Sequence, residues 1–257
     1  MAIILSMKTE SNPSGQTIIF DEDVHTFTLQ GKNISGVTSF ISSFFDKFDS
    51  EYWSERKANE RNVSKETILE EWAAKSNRGI KEGNNLHAYA EYLILTQFLG
   101  QEEICPKPIS KRCGNLFQTV ELAIEWLTSF YTPVAIEKII FSEKIRLAGI
   151  IDAIFENDEA VCIVDWKQNK EIKKFNPYQS GKGPLKHLEE HDFNKYSLQL
   201  NSYRRILMEE EYFPGKEIRM MLLHITPESY YPMHVRPMDK EIQGMLDQKD
   251  SLFPNFN

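Results

Sequence analysis

Apolar residues recur along this chain at two spacings, and the order in which those spacings alternate sets the expected fold. Alternation of period two marks residues 17–20 and 26–29 as a small β-hairpin, and residues 37–48 read as a short helix. Helical spacing then runs over residues 65–75 and 83–99, with breaks expected at Asn77-Arg78-Gly79 and again at Gly100. A proline-containing connector covers residues 105–114, and residues 115–131 form an amphipathic helix stopped by Pro133. Three strands follow at residues 134–143, 146–156 and 160–166, joined by polar turns such as Asn157-Asp158-Glu159. After a loop holding Asn176-Pro177 and Gly181-Lys182-Gly183-Pro184 come a helix from about 194 to 211, strands at 217–226 and 230–236, and a last helix from about Asp239. No repeat or low-complexity segment interrupts this order. It predicts one α/β domain over residues 1–257: a mixed central β-sheet flanked by helices. The hairpin and a helical subregion covering the site take residues 1 to about 132, and the sheet core and C-terminal helix take the rest.

The third of those strands delivers charge to its end. In Ile163-Val164-Asp165-Trp166-Lys167, side chains alternate, so Asp165 and Lys167 share one face and Trp166 takes the other. A carboxylate and an ammonium held together suit metal-assisted phosphodiester hydrolysis, in which one binds a divalent cation and the other orients water or offsets developing charge. A second carboxylate, Asp152, closes the apolar run before it. Among such neighbours it must be paired, hydrogen-bonded or metal-bound, and a simple pair with Lys167 is the plainer alternative. Glu137, in the preceding strand, is a candidate third carboxylate, and Glu143 competes with it. Gln199 and Tyr203, four apart, share a helix face, with Arg204 and Arg205 just beyond. His87 sits on an otherwise apolar helix, as either a satisfied core residue or a metal ligand, and Glu91 lies one turn later as its orienting partner or as a solvated carboxylate.

Gly149-x-x-Asp152, Asp165-x-Lys167 and Gln199-x-x-x-Tyr203, in this order and spacing, resemble the PD-(D/E)XK nuclease superfamily. The resemblance is strongest to its RecB-like branch, which includes Cas4-like, mitochondrial genome maintenance and phage or viral exonucleases. Gly83-x-x-x-His87-x-x-x-Glu91 matches where that branch carries a metal-binding histidine, and the similarity runs from about residue 37 to 241. It implies a restriction-endonuclease-like core and a deoxyribonuclease using one or two Mg²⁺ or Mn²⁺ ions. Asp152, Asp165, His87 and the Trp166 carbonyl would be ligands, with Glu137 close by. Lys167 would position the attacking water, and Gln199 and Tyr203 would organise the scissile phosphate. Cas4-like members hold an iron–sulfur cluster on four cysteines. With only Cys105, Cys113 and Cys162, and no Cys-x-x-Cys spacing, none is expected here.

Composition narrows the picture. The chain carries a net charge of −8, yet from Asp165 to Lys195 seven lysines (167, 170, 173, 174, 182, 186, 195) face five acids. Such a run is either a solvated loop or a basic channel beside the site, and the channel reading makes Lys170, Lys182 and Arg204 contacts to a phosphate backbone. His187 and His191, four apart, have a spacing that could bind metal or would help a mobile loop contact phosphates, and Phe175, Tyr178 and Phe193 could stack on bases. No Walker or dinucleotide glycine loop and no Gly-x-Ser-x-Gly elbow is present, which argues against ATP hydrolysis, a Rossmann cofactor and serine-hydrolase chemistry. No apolar run approaches the roughly 18 residues of a membrane span, and residues 2–5 are too short for a signal core. Reduced cysteines and these absences predict a cytoplasmic protein (host cytoplasm if phage or viral), and a monomer is the simplest assembly. The expected activity is an exonuclease preferring single-stranded DNA, in repair, recombination or replication. A catalytically silent subunit binding DNA ends, or an RNA endonuclease on the same core, are the competing readings.

Overall fold

The computed structural model describes residues 7–249; the apolar run at residues 2–5 lies outside them. Strands β1 (Met7–Ser11), β2 (Thr17–Asp21), β3 (Thr26–Leu29) and β4 (Lys32–Gly36) form an antiparallel meander. The main sheet is built by β5 (Thr132–Ser142), β6 (Leu147–Glu156), β7 (Ala160–Lys167), β8 (Glu217–Ile225) and β9 (Tyr230–His234). It is mixed, with β7 and β8 parallel, and β5–β6, β6–β7 and β8–β9 antiparallel.

Helices cover both faces. Helices α1 (Val37–Ser42), α5 (Asp192–Glu209) and α6 (Asp239–Asp247) pack with Ile151, Ile163 and Leu222. Helices α3 (Lys65–Gln97) and α4 (Lys111–Thr128) pack with Ala153, Val164 and Trp166 on the other face. Strand β7 is buried along its whole length except at Lys167, which is why its sequence reads as a continuous apolar run. This is the expected mixed sheet flanked by helices.

Several local expectations change. The helix expected to break at Asn77-Arg78-Gly79 is continuous, and α3 runs for 33 residues. Its polar middle faces solvent while Ile68 and the 86–95 segment are buried at its two ends, so one glycine, costing about 1 kcal/mol relative to alanine, does not end it. Helix α4 begins at Lys111, inside the expected connector, because the Ser110 side chain caps it by accepting from the Cys113 N–H. The first helix ends at Ser42, short of residue 48. Strands β1 and β4 and helix α2 (Ser50–Arg61) had no legible apolar period; β1 and α2 are largely exposed.

Strand β6 is the pivot. One edge pairs with β5 from end to end, whereas the other carries β4 at Leu147 and Ala148 and β7 only from Ala153 onward. Between them, residues 149–152 have no ladder partner on that edge, so β6 and β7 part like a fork at Asp152. The side-chain alternation also slips here. Ile151 packs in the α5 layer, yet Ala153, two residues on, packs in the α4 layer. On β5, Ile136 and Ile140 are separated in the same way around Glu137, whose backbone is left-handed at φ 46°. Gly149 completes the fork, since a Cβ there would collide with the Tyr203 ring of α5. Gly149→Ala should therefore lose about 1–3 kcal/mol of stability, whereas Gly36→Ala, whose added methyl meets nothing closer than 3.5 Å, should be well tolerated. Urea denaturation of the two variants checks this.

Candidate active site

The fork gathers the predicted residues. Glu137 on β5 stands opposite Asp152 on β6, and the β6–β7 register extended by one position sets Asp152 opposite Asp165. Three carboxylates thus occupy one row across three adjacent strands. Because β7 has moved away, the Trp166 N–H donates to the Asp152 carboxylate at 2.9 Å instead of to a β6 carbonyl. Helix α3 brings His87 to the same point from the other side. Its Nδ1 lies 3.8 Å from Glu137 and 3.7 Å from Asp152, and its Nε2 lies 3.2 Å from the Trp166 carbonyl oxygen. Helix α5 reaches the row from the opposite layer, where Gln199 Nε2 donates to Asp165 Oδ1 at 3.2 Å and to the Tyr203 hydroxyl at 2.9 Å.

Among the described residues, donor atoms of His87, Glu137 and Asp152 lie within 4.8 Å of one another. Two carboxylates and an imidazole at that spacing fit one small divalent cation. Asp165, expected as a ligand as well, is not among these three donors; its Oδ2 turns to Lys167 Nζ at 2.6 Å. Burial pushes the Asp165 carboxyl up, and the ammonium of Lys167 opposes that shift. For Lys167, burial works to lower the pKa, but Asp165 and Asp152 outweigh it and hold the amine protonated. Burial would also lower the His87 imidazole, but Asp152 and Glu137 more than offset it and bring it to about 9. A site this rich in buried negative charge retains protons unless a cation takes their place.

Other expected residues fall elsewhere. Trp166 is core, as its strand face predicts, and only its backbone reaches the site. Tyr203 is buried behind Gln199, and its hydroxyl accepts from the Gln199 amide. His87 is held by Trp166, Glu137 and Asp152; Glu91 lines the same cleft, where burial and Glu137 raise its carboxyl. Glu143 is remote from this group and bonds Gln16 and Gln30 instead, which leaves Glu137 as the third carboxylate. Arg204 is drawn to Asp239 and Arg205 to Glu209, while Lys182 pairs with Asp46. His191 caps α5 by accepting from the Asn194 N–H, and His187 bonds Glu241. Phe193 packs against the core, whereas Phe175, Tyr178 and Lys170 are exposed.

Two groups went unread in the sequence. Tyr196, three residues before Gln199 on the same helix face, lies beneath Lys167, with the ammonium 4.8 Å from its ring centre. Its hydroxyl accepts from Asn169, whose carbonyl in turn meets His224 at 2.7 Å. Gln168 ties the strand end to the helices: its side chain donates to the Gly79 carbonyl, and Arg112 donates to its backbone oxygen at 2.9 Å. The helical spacing of Tyr196 was a visible signal; nothing in the sequence linked Gln168 to Gly79.

A family model described as the PD-(D/E)XK nuclease superfamily matches residues 51–253. The chain belongs to that superfamily. One component of an ATP-dependent helicase/nuclease from Clostridium perfringens is 27% identical over 190 residues, covering 73% of this chain but 13% of that protein. The crystal structure of SSO0001 overlaps 55% of this chain and 60% of its own, at 14% identity and a TM-score of 0.28. Asp152 and Asp165-x-Lys167, the residues that carried the resemblance in the sequence, lie inside the matched region. Lys167→Ala should lower cleavage about a hundredfold or more while the protein stays folded, because Asp165 can take up a proton when its partner is gone. Tyr196→Phe, which keeps the ring, should stay near the parent rate, and Tyr196→Leu should fall about 2- to 30-fold. Single-turnover rates on folded variants, with circular dichroism alongside, check both.

Proposed function

We propose that the protein is a divalent-metal-dependent deoxyribonuclease that trims single-stranded DNA from an end, in repair, recombination or replication. The observation that carries this reading is the carboxylate row with His87 at one side and Lys167 at the other. His87, Glu137 and Asp152 would hold Mg²⁺ or Mn²⁺, with Asp165 and the Trp166 carbonyl adjacent; the ion, when bound, supplies Lewis acidity at a phosphate oxygen and lowers the pKa of water. The chain's own groups do the rest. Lys167, kept charged by Asp165 and braced by Tyr196, orients the attacking water and offsets charge gained by the phosphate. Gln199, fixed by Tyr203, holds the Asp165 carboxylate in place. Trp166 and the buried strands around it keep bulk solvent from the rear of the site.

Preference for a single strand follows from the walls. On one side, the exposed part of α3 carries Lys75, Arg78 and Lys81; on the other, the loop after β7 exposes Lys170, Lys173, Lys174, Phe175 and Tyr178. The Gln168–Gly79 hydrogen bond bridges those walls beside the site. A duplex is too broad for a bridged cleft, whereas one strand can pass with bases stacked on Phe175 and Tyr178 at about 1–3 kcal/mol per base. The acidic remainder of the protein confines the polyanion to this path.

Mg²⁺ or Mn²⁺ should support cleavage and Ca²⁺ should permit binding with little turnover, while excess EDTA should abolish activity; persistence in EDTA would remove the metal chemistry from the account. Labelled linear single-stranded DNA should be degraded far faster than a covalently closed single-stranded circle. Equal rates on both would replace the exonuclease with an endonuclease. Preferential cutting of RNA would favour an RNA endonuclease, and tight end-binding without cleavage in any metal would favour a silent binding module.

A further inference from the structure

The matched superfamily region starts at residue 51, yet one wall of the candidate site comes from before it. Strand β1 is tied to β5 by an ion pair between Glu10 and Lys138 at 2.9 Å. Lys8 shares the Glu10 face of β1, two residues away, and so points in the same direction. It lines a cleft together with Gly83, Asn84, His87, Glu91 and Glu137. Among the described residues, Lys8 is the single lysine or arginine lining that cleft, and the carboxylates of Glu91 and Glu137 both act on its ammonium. The contact it makes is with Glu22, also near the surface; with the Lys8 side chain 55% exposed, a pair of this kind contributes little to stability.

We infer that Lys8 is a substrate-positioning residue: its ammonium exchanges Glu22 for a backbone phosphate of the bound nucleic-acid strand at the β5 end of the carboxylate row. The inference rests on the nuclease reading and deepens it. A polyanion approaching this cleft meets the carboxylates of Glu91 and Glu137, and a cation on the wall offsets that repulsion. Lys167 performs the corresponding service at the β7 end, so a strand laid across the row finds a cation at both ends. Glu22 then acts as a resident carboxylate, which keeps the Lys8 side chain aimed at the cleft until phosphate displaces it. The N-terminal meander, outside the superfamily match, becomes part of the substrate path and does more than protect the sheet edge.

Binding of a labelled single-stranded oligonucleotide, measured in Ca²⁺ over a salt series with the full chain, tests the assignment. Lys8→Gln should weaken binding about 3- to 10-fold at low salt and reduce the log–log salt slope by about 0.7, the contribution of one phosphate contact on a single strand. Lys8→Arg should restore both. Glu22→Gln, which keeps the lysine and removes its competitor, should tighten binding severalfold, and it carries the test if Lys8→Gln fails to fold. In Mg²⁺ or Mn²⁺, Lys8→Gln should raise KM and leave kcat within about twofold. An unchanged salt slope in Lys8→Gln together with unchanged affinity in Glu22→Gln would overturn the role of Lys8 while the parent's binding and cleavage still stand. A parent protein that neither binds nor cuts nucleic acid would remove the nuclease reading itself.

Discussion

Two carboxylates cannot sit opposite each other in a buried β-ladder, and the rest of this molecule follows from how that conflict is resolved. Asp152 and Asp165 occupy opposed positions at the point where pairing between β6 and β7 stops. The strands part there, and the freed Trp166 N–H finds the Asp152 carboxylate, so that backbone donor is not left unpaired at the break. The opening made by this divergence is the site. It lets α3 contribute His87 from one layer while α5 contributes Gln199 and Tyr196 from the other.

The electrostatics show why such an arrangement is retained. Burying Asp165 and Lys167 costs solvation that their attraction recovers only in part, and an apolar pair of similar size would serve stability as well or better. The protein accepts that cost and adds Tyr196 and Gln199 around the pair, which limits its motion. Backbone strain is placed at the same point: Glu137 adopts a left-handed conformation that few non-glycine residues tolerate. Strain, buried like charges and a broken ladder all fall within one row of residues, the signature of a site shaped by chemistry and not by packing.

The superfamily match covers β5 to β9 and the helices from α3 onward that face them. It does not account for the meander, whose Glu10–Lys138 contact clamps β1 to β5 and brings a further cation to the rim. The chain spans only 13% of the length of the relative from Clostridium perfringens.

Much of this was legible in the sequence, for a physical reason. Buried strands carry continuous apolar runs, so β5, β6, β7 and β8 announced themselves, and charges at their ends had to be functional or paired. Asp152, Asp165 and Lys167 followed from that logic, and the spacing of Gln199 and Tyr203 placed both on one helix face. Elements whose burial is slight left no period to read, which is why β1, β4 and α2 were invisible and why the polar middle of α3 looked like a break. Tertiary structure alone decided the choice of Glu137 over Glu143, the turning of Asp165 toward Lys167, and the contacts that Arg204, Lys182 and His191 make with Asp239, Asp46 and the Asn194 N–H. Those outcomes depend on which side chains meet across the fork and between layers, and such meetings are set by strand register and helix packing, which no local pattern encodes.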